Sequence, residues 1–174
     1  MAHEVVKMAY RGETPWHGLG FLLSDDATFD AWLRESGLTF RVRGAKVQFD
    51  SSTNDTPAIR GFNDKQVLFR EDNGQPLGIV SASKYKIVQP DQILEFYRDF
   101  VRAGDMKLET AGVLKKGRRV WALARHGMEI RIKGQDLVRP YFLLTTSYDG
   151  ETGTNGMYVM ERVVCANTLA AAYY

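Results

Sequence analysis

One cysteine, Cys165, stands in 174 residues. It excludes an intrachain disulfide and suits a reducing compartment. Its neighbours Val164 and Ala166 suit a buried, inert thiol. Long hydrophobic runs are also missing. No stretch approaches the roughly 20 apolar residues of a membrane span, and no apolar core follows a basic start at the N-terminus. The expectation is a soluble, unsecreted, cytoplasmic protein with no membrane partner.

Catalytic signatures are absent too. The chain has no phosphate-binding loop, no Gly-x-Ser-x-Gly elbow, no His-Glu-x-x-His and no Cys-x-x-Cys. His3, His17 and His126 are scattered, and one cysteine does not complete a zinc site with them. Gly18-Leu19-Gly20 lacks the third glycine and the preceding strand of a dinucleotide fingerprint. Asp25, Asp26 and Asp30 could be drawn as a nuclease metal cluster, but a helix N-terminus favours such acids electrostatically. No cofactor, no metal and no enzymatic activity are expected.

What is present is ordinary for a globular protein: 44% hydrophobic and 25% charged residues, read as one domain spanning residues 1–174. The net charge of +2 is unevenly spread. Between residues 115 and 139, Lys115, Lys116, Arg118, Arg119, Arg125, Arg131, Lys133 and Arg139 meet only Glu129 and Asp136. A local excess of this kind attracts polyanions, or it serves as a solubilising face.

Residues 1–39 read as an irregular lead-in followed by a short helix. Asp25, Asp26 and Thr28 offer N-cap chemistry, Phe29, Trp32 and Leu33 share a side, and Gly37 stops the helix. Residues 40–103 read β-β-β-α. The strands are Phe40 to Phe49, Lys65 to Arg70 and Leu77 to Val88, with an Asn73-Gly74 hairpin turn between the last two. Pro90 opens a helix whose Ile93, Leu94, Tyr97, Phe100 and Val101 form one stripe. Residues 104–174 return to strands: Leu108 to Leu114, Arg118 to Arg125, Glu129 to Lys133, Tyr141 to Ser147 and Tyr158 to Cys165. Lys115-Lys116-Gly117 is a hairpin tip, and Asn167 caps the start of a terminal helix. The predicted fold is α+β: a twisted antiparallel sheet with a β-β-β-α core and one main helix packed on a face.

The candidate site is basic and aromatic. Alternation puts Arg119, Trp121, Leu123 and Arg125 on one strand face, with Lys115, Lys116 and Arg118 at the preceding tip. Cations beside an indole suit single strands, whose phosphates need neutralising and whose bases stack on rings. Lys84-Tyr85-Lys86 is a second such site, to which Arg41, Arg43 and Lys46 add cations. Trp121 and Tyr85 read equally well as core residues with basic neighbours. Pro15-Trp16-His17-Gly18 reads as a shaped loop, where presentation of the indole and its packing into the core both stay open.

Two stretches carry a resemblance, Gly12-Glu13-Thr14-Pro15-Trp16-His17-Gly18-Leu19-Gly20 and Glu161-Arg162-Val163-Val164-Cys165-Ala166-Asn167-Thr168-Leu169-Ala170. With them the chain resembles a family of phage- and plasmid-borne proteins that carry a domain of unknown function. The resemblance implies mobile DNA in a bacterial host, and no reaction. Ser147-Tyr148-Asp149-Gly150 departs from the Ser-His-Asp-Gly more common in that family, which lowers any enzymatic reading. The β-β-β-α order also resembles the core of Rad-type single-strand annealing proteins. That similarity implies single-stranded DNA as partner, a role in DNA recombination and assembly into homo-oligomers. The alternative is an interaction protein that binds a host defence or replication factor through the Trp16 loop.

Overall fold

The computed structural model describes residues 4–15, 18–53, 56–132 and 136–162. The first strands, β1 (Val5–Tyr10) and β2 (Phe21–Leu22), lie where an irregular lead-in was expected. Helix α1 (Phe29–Ser36) follows. Strands β3 (Val42–Asp50), β4 (Ile59–Arg70) and β5 (Pro76–Ser81) come next. Two short helices, α2 (Pro90–Glu95) and α3 (Arg98–Ala103), precede β6 (Met106–Leu114), β7 (Arg119–His126), β8 (Ile130–Ile132), β9 (Asp136–Ser147) and β10 (Asn155–Arg162).

The β-β-β-α core with one main helix is not what forms. The protein is mostly β. Among the described residues its principal sheet has seven strands in the order β10-β9-β7-β6-β1-β2, with β8 beside β9. It is mixed rather than antiparallel, because β1 and β2 run parallel. The three strands expected inside it form a separate sheet, β3-β4-β5.

The single helix fails for a local reason. Tyr97 N–H bonds back only three residues, to Leu94 O at 2.9 Å, a tightened turn that separates α2 from α3. The Tyr97 hydroxyl meanwhile reaches two sheet carbonyls, Ala122 O at 3.0 Å and Phe142 O at 2.9 Å. Ile93, Leu94 and Tyr97 are fully buried, but Phe100, counted in the same stripe, stays 39% exposed.

The predicted α1 ends are as the caps require. Thr28 Oγ1 accepts from Ala31 N–H, and Gly37 closes the helix at φ 78°. The predicted strand over Leu77 to Val88 stops at Ser81, where Tyr85 N–H bonds back to the Ser81 carbonyl at 3.3 Å and turns the chain. Cys165 and the expected terminal helix lie outside the described residues.

Both faces of the principal sheet are buried at its centre. On one, Ala111, Val113, Val120, Ala122 and Ala124 pack against Trp32, Ile93, Leu94 and Tyr97 from the helices and Val42, Leu68, Leu77 and Val80 from the small sheet. The alanines keep that face flat, so the α2–α3 corner seats closely. On the other, Met8, Tyr10, Trp121, Leu123, Tyr141 and Leu143 form a second cluster. β1 was missed because its Met8, Ala9 and Tyr10 are all buried; a strand covered on both sides loses the alternation that marks one.

Gly78 makes the junction between the sheets possible. A Cβ there would overlap Asp149 Cα and lie 2.6 Å from the Tyr148 carbonyl oxygen, so only hydrogen lets β5 approach the β9–β10 turn. The small sheet is one-sided. Val42, Leu68 and Val80 face the core, which turns the alternate residues outward. Outward lie Ala45, Val47 and Phe49 of β3, Phe62, Val67 and Phe69 of β4 and Ile79 of β5, paired as Ala45–Val67, Val47–Phe62 and Val67–Ile79. None of these side chains belongs to either core cluster.

Candidate nucleic-acid interface

The two basic segments anticipated from the sequence meet at one end of the principal sheet, around the β9–β10 turn. Lys84 closes the turn that follows β5, and Tyr85 and Lys86 lie in the irregular segment after it rather than in the expected strand. The Tyr85 hydroxyl donates to Ser147 O at 2.6 Å, which pins the segment to the end of β9. Burial pushes the Tyr85 phenol pKa up, and the nearby Asp149 carboxylate adds to the rise. Its half-buried ring packs against the core, and Lys84 and Lys86 on either side are exposed.

The second segment is the β6–β7 turn, a single 3₁₀ turn over Lys115–Gly117. Lys115 and Lys116 take left-handed backbone conformations, φ 50° and 57°, ahead of Gly117 at φ 95°. Such conformations cost non-glycine residues about 1 kcal/mol or more. Several contacts hold them. Gln75 Nε2 donates to Lys116 O at 3.1 Å, Lys115 Nζ pairs with Glu151 Oε2 at 3.1 Å, and Tyr148 N–H donates to Arg118 O at 2.7 Å. Lys116 and Arg118 are left projecting into solvent.

The β9–β10 turn that receives both segments holds Ser147-Tyr148-Asp149-Gly150, singled out in the sequence only for the tyrosine where a histidine is more common. Tyr148 is fully buried, donates to Val88 O at 2.9 Å and packs edge-on to Phe40. Burial drives its phenol pKa upward, out of reach of proton transfer near neutrality. Ser147 Oγ hydrogen-bonds Asp149 Oδ1, which also accepts from Glu151 N–H at 3.0 Å. These contacts shape the turn. Among the described residues no group of three or more His, Cys, Asp and Glu side chains converges as for a metal ion.

Much of the anticipated positive charge is neutralised. Arg119 pairs with Glu151 at 3.1 Å, Arg41 with Asp91 through two contacts at 3.0 Å, Arg43 with Glu71 at 3.0 Å and Arg125 with Glu109 at 3.2 Å. Arg125 is also remote. In register it stands opposite Lys107 and Tyr141, whereas Arg119 stands opposite Ser147, six residues or about 20 Å along the strand. Lys84, Lys86, Lys116 and Arg118, like Lys46 and Arg131 elsewhere, have no carboxylate partner among the described residues.

Trp121 is not a stacking platform. Its side chain is wholly buried, its Nε1–H donates to Thr110 Oγ1 at 3.3 Å, and its ring lies over Gly112 on the neighbouring strand. The alternation on β7 was read correctly, but the face carrying Trp121 is a second core face. Trp16 and His17 lie outside the described residues.

Residues 76–174 match the family described as Domain of unknown function (DUF932). The match covers more than half of the chain, which belongs to that family. It begins at the first residue of β5 and includes both basic segments and the β9–β10 turn. No curated protein and no solved structure matches the chain. Among the described residues no helix is long and apolar enough to cross a membrane.

Proposed function

We propose that this chain is a non-enzymatic protein that binds single-stranded DNA, with its phosphate contacts at the β9–β10 end of the principal sheet. The observation that supports this reading is the convergence there of Lys84, Lys86, Lys116 and Arg118, exposed and without carboxylate partners among the described residues. Unpaired cations gathered from separate segments attract a polyanion by releasing its condensed counterions. The phage or plasmid setting comes from the resemblance of the Gly12–Gly20 and Glu161–Ala170 stretches and belongs to this proposal. Strand annealing had rested on the β-β-β-α order; without that order the proposal stops at binding.

The test is fluorescence anisotropy of a labelled single-stranded oligonucleotide across a salt series. Binding should weaken as salt rises. The K116E R118E double substitution should lower the magnitude of the log–log salt slope by about 1.4, since each single-strand phosphate contact contributes about 0.7. No binding at low salt refutes the reading, and an unchanged slope removes this turn from it.

A second reading has one observation in its favour. Phe96, Phe100, Phe142 and Tyr158 form a chain of ring contacts 5.0–5.6 Å apart. Tyr158 is 67% exposed beside them on β10, at the edge of the sheet. An apolar surface of that kind suits a host protein partner. Capture from host lysate that survives nuclease treatment, and is lost on Y158E, would favour it.

A further inference from the structure

We propose that the outward face of the small sheet is the base-stacking platform of this protein, with Phe49 and Phe62 as its principal rings. This inference rests on the single-strand reading above and supplies what that reading lacks, since Trp121 is buried and the Tyr85 ring packs against the core.

Three phenylalanines, Phe49, Phe62 and Phe69, point away from the core on β3 and β4, and Phe49 and Phe62 are 47% and 48% exposed. Burying such rings would be favourable, so leaving them in solvent is a cost that a ligand would recover. Phe49 stands directly opposite Arg60, and Val47 directly opposite Phe62. The two residues are therefore diagonal neighbours, their backbones about 7–8 Å apart, a spacing that lets consecutive bases splay over adjacent rings. A flat, half-exposed ring accepts any base, and a guanidinium beside it meets the phosphate.

Charge selects nucleic acid as the occupant. Arg60 and Lys65 fall on this face and have no carboxylate partner among the described residues. Asp50, paired with Ile59, falls on the opposite face. Asp64 sits in the offset between Phe62 and Lys65, where the β3–β4 register assigns it to neither face. A second copy docked about a twofold axis would set one cationic face against another, which like-charge repulsion disfavours. The strands also extend past their support. β5 pairs only with Lys65–Phe69 of β4, so Val47–Asp50 with Ile59–Phe62 form a two-stranded ribbon open to an extended strand.

The experiment compares F49A, F62A and F62W with the unaltered chain, using anisotropy of a fluorescein-labelled oligothymidylate. Each alanine substitution should weaken binding about 5- to 150-fold and leave the salt slope unchanged, because a stacked base contributes affinity without a phosphate contact. F62W should retain or improve affinity. Circular dichroism and analytical ultracentrifugation accompany every variant. Where an alanine variant unfolds, p-benzoylphenylalanine at position 62 substitutes for it and should photocrosslink to the oligonucleotide. An unaltered chain that binds, with alanine variants of equal affinity, or a folded crosslinker variant giving no adduct, overturns the platform and leaves the basic end intact. An unaltered chain that fails to bind overturns the parent reading. Loss of self-association in F49A or F62A would make the face an interface between copies and overturn the platform.

Discussion

Replacing Gly112 with alanine tests the second core face most directly. Gly112 lies opposite Trp121 in the β6–β7 register, and a Cβ there would overlap the edge of the indole. It would also lie 2.7 Å from both the Lys7 carbonyl oxygen and Met8 Cβ. Backbone from β1 on one side and a large ring on the other leave little room to yield. Overpacking of this kind costs about 1–3 kcal/mol, or a fall in Tm of about 2–12 °C for a chain of this size. Urea unfolding should show a lower midpoint at unchanged slope. A smaller residue at position 121 removes the ring overlap but not the clash with Lys7 O. The cycle G112A, W121L and G112A W121L should therefore show coupling of about 0.5–3 kcal/mol without full rescue. W121L alone should lower stability and leave oligonucleotide affinity unchanged. If G112A unfolds at the same urea concentration as the unaltered chain, the close seating of the indole over β6 is wrong. If W121L abolishes binding while remaining folded, Trp121 contacts the ligand after all.

Two further predictions follow from the helix corner and the β4–β5 hairpin. Y97F removes the hydroxyl that reaches Ala122 O and Phe142 O, and should cost about 1–2 kcal/mol by urea unfolding; no loss would mean that packing alone holds the α2–α3 corner. The Asp72 carboxyl sits below its usual range because Arg70 donates to both its oxygens, at 3.0 and 2.6 Å. A pKa depressed on folding contributes stability that is present above the unfolded value near 3.9 and is lost as pH falls through the lowered folded value. D72N should flatten the acid limb of a stability–pH profile slightly, the pair being solvent-exposed. An identical limb would show that the pair contributes nothing.

The basic character of the site was legible in the sequence, but its net charge was not. Lys84, Lys86, Lys116 and Arg118 remain exposed cations as expected. Arg41, Arg43, Lys115, Arg119 and Arg125 meet Asp91, Glu71, Glu151 and Glu109, acids that lie 16 to 50 positions away along the chain. Ion pairing between distant positions carries no local signal, so a count of cations in a window overstates the field they produce. The outward phenylalanines were missed for a related reason: alternation tells which residues share a face, not which face will be covered.

Local chemistry in the sequence therefore determined the local features. Thr28 and Gly37 delimit α1, Asn73-Gly74 turns β4 into β5, Lys115-Lys116-Gly117 reverses β6 into β7, and alternation sorts the side chains of β7. Each depends on backbone preferences or hydrogen bonds spanning a few residues. Tertiary structure alone decided that β3–β5 separate from the principal sheet and that β1 enters it beside β6. It also decided that the Trp121 face is buried and that two distant basic segments share one end. Those outcomes depend on burial and pairing between residues far apart in the chain, where many partners are locally equivalent and only the packed whole selects among them.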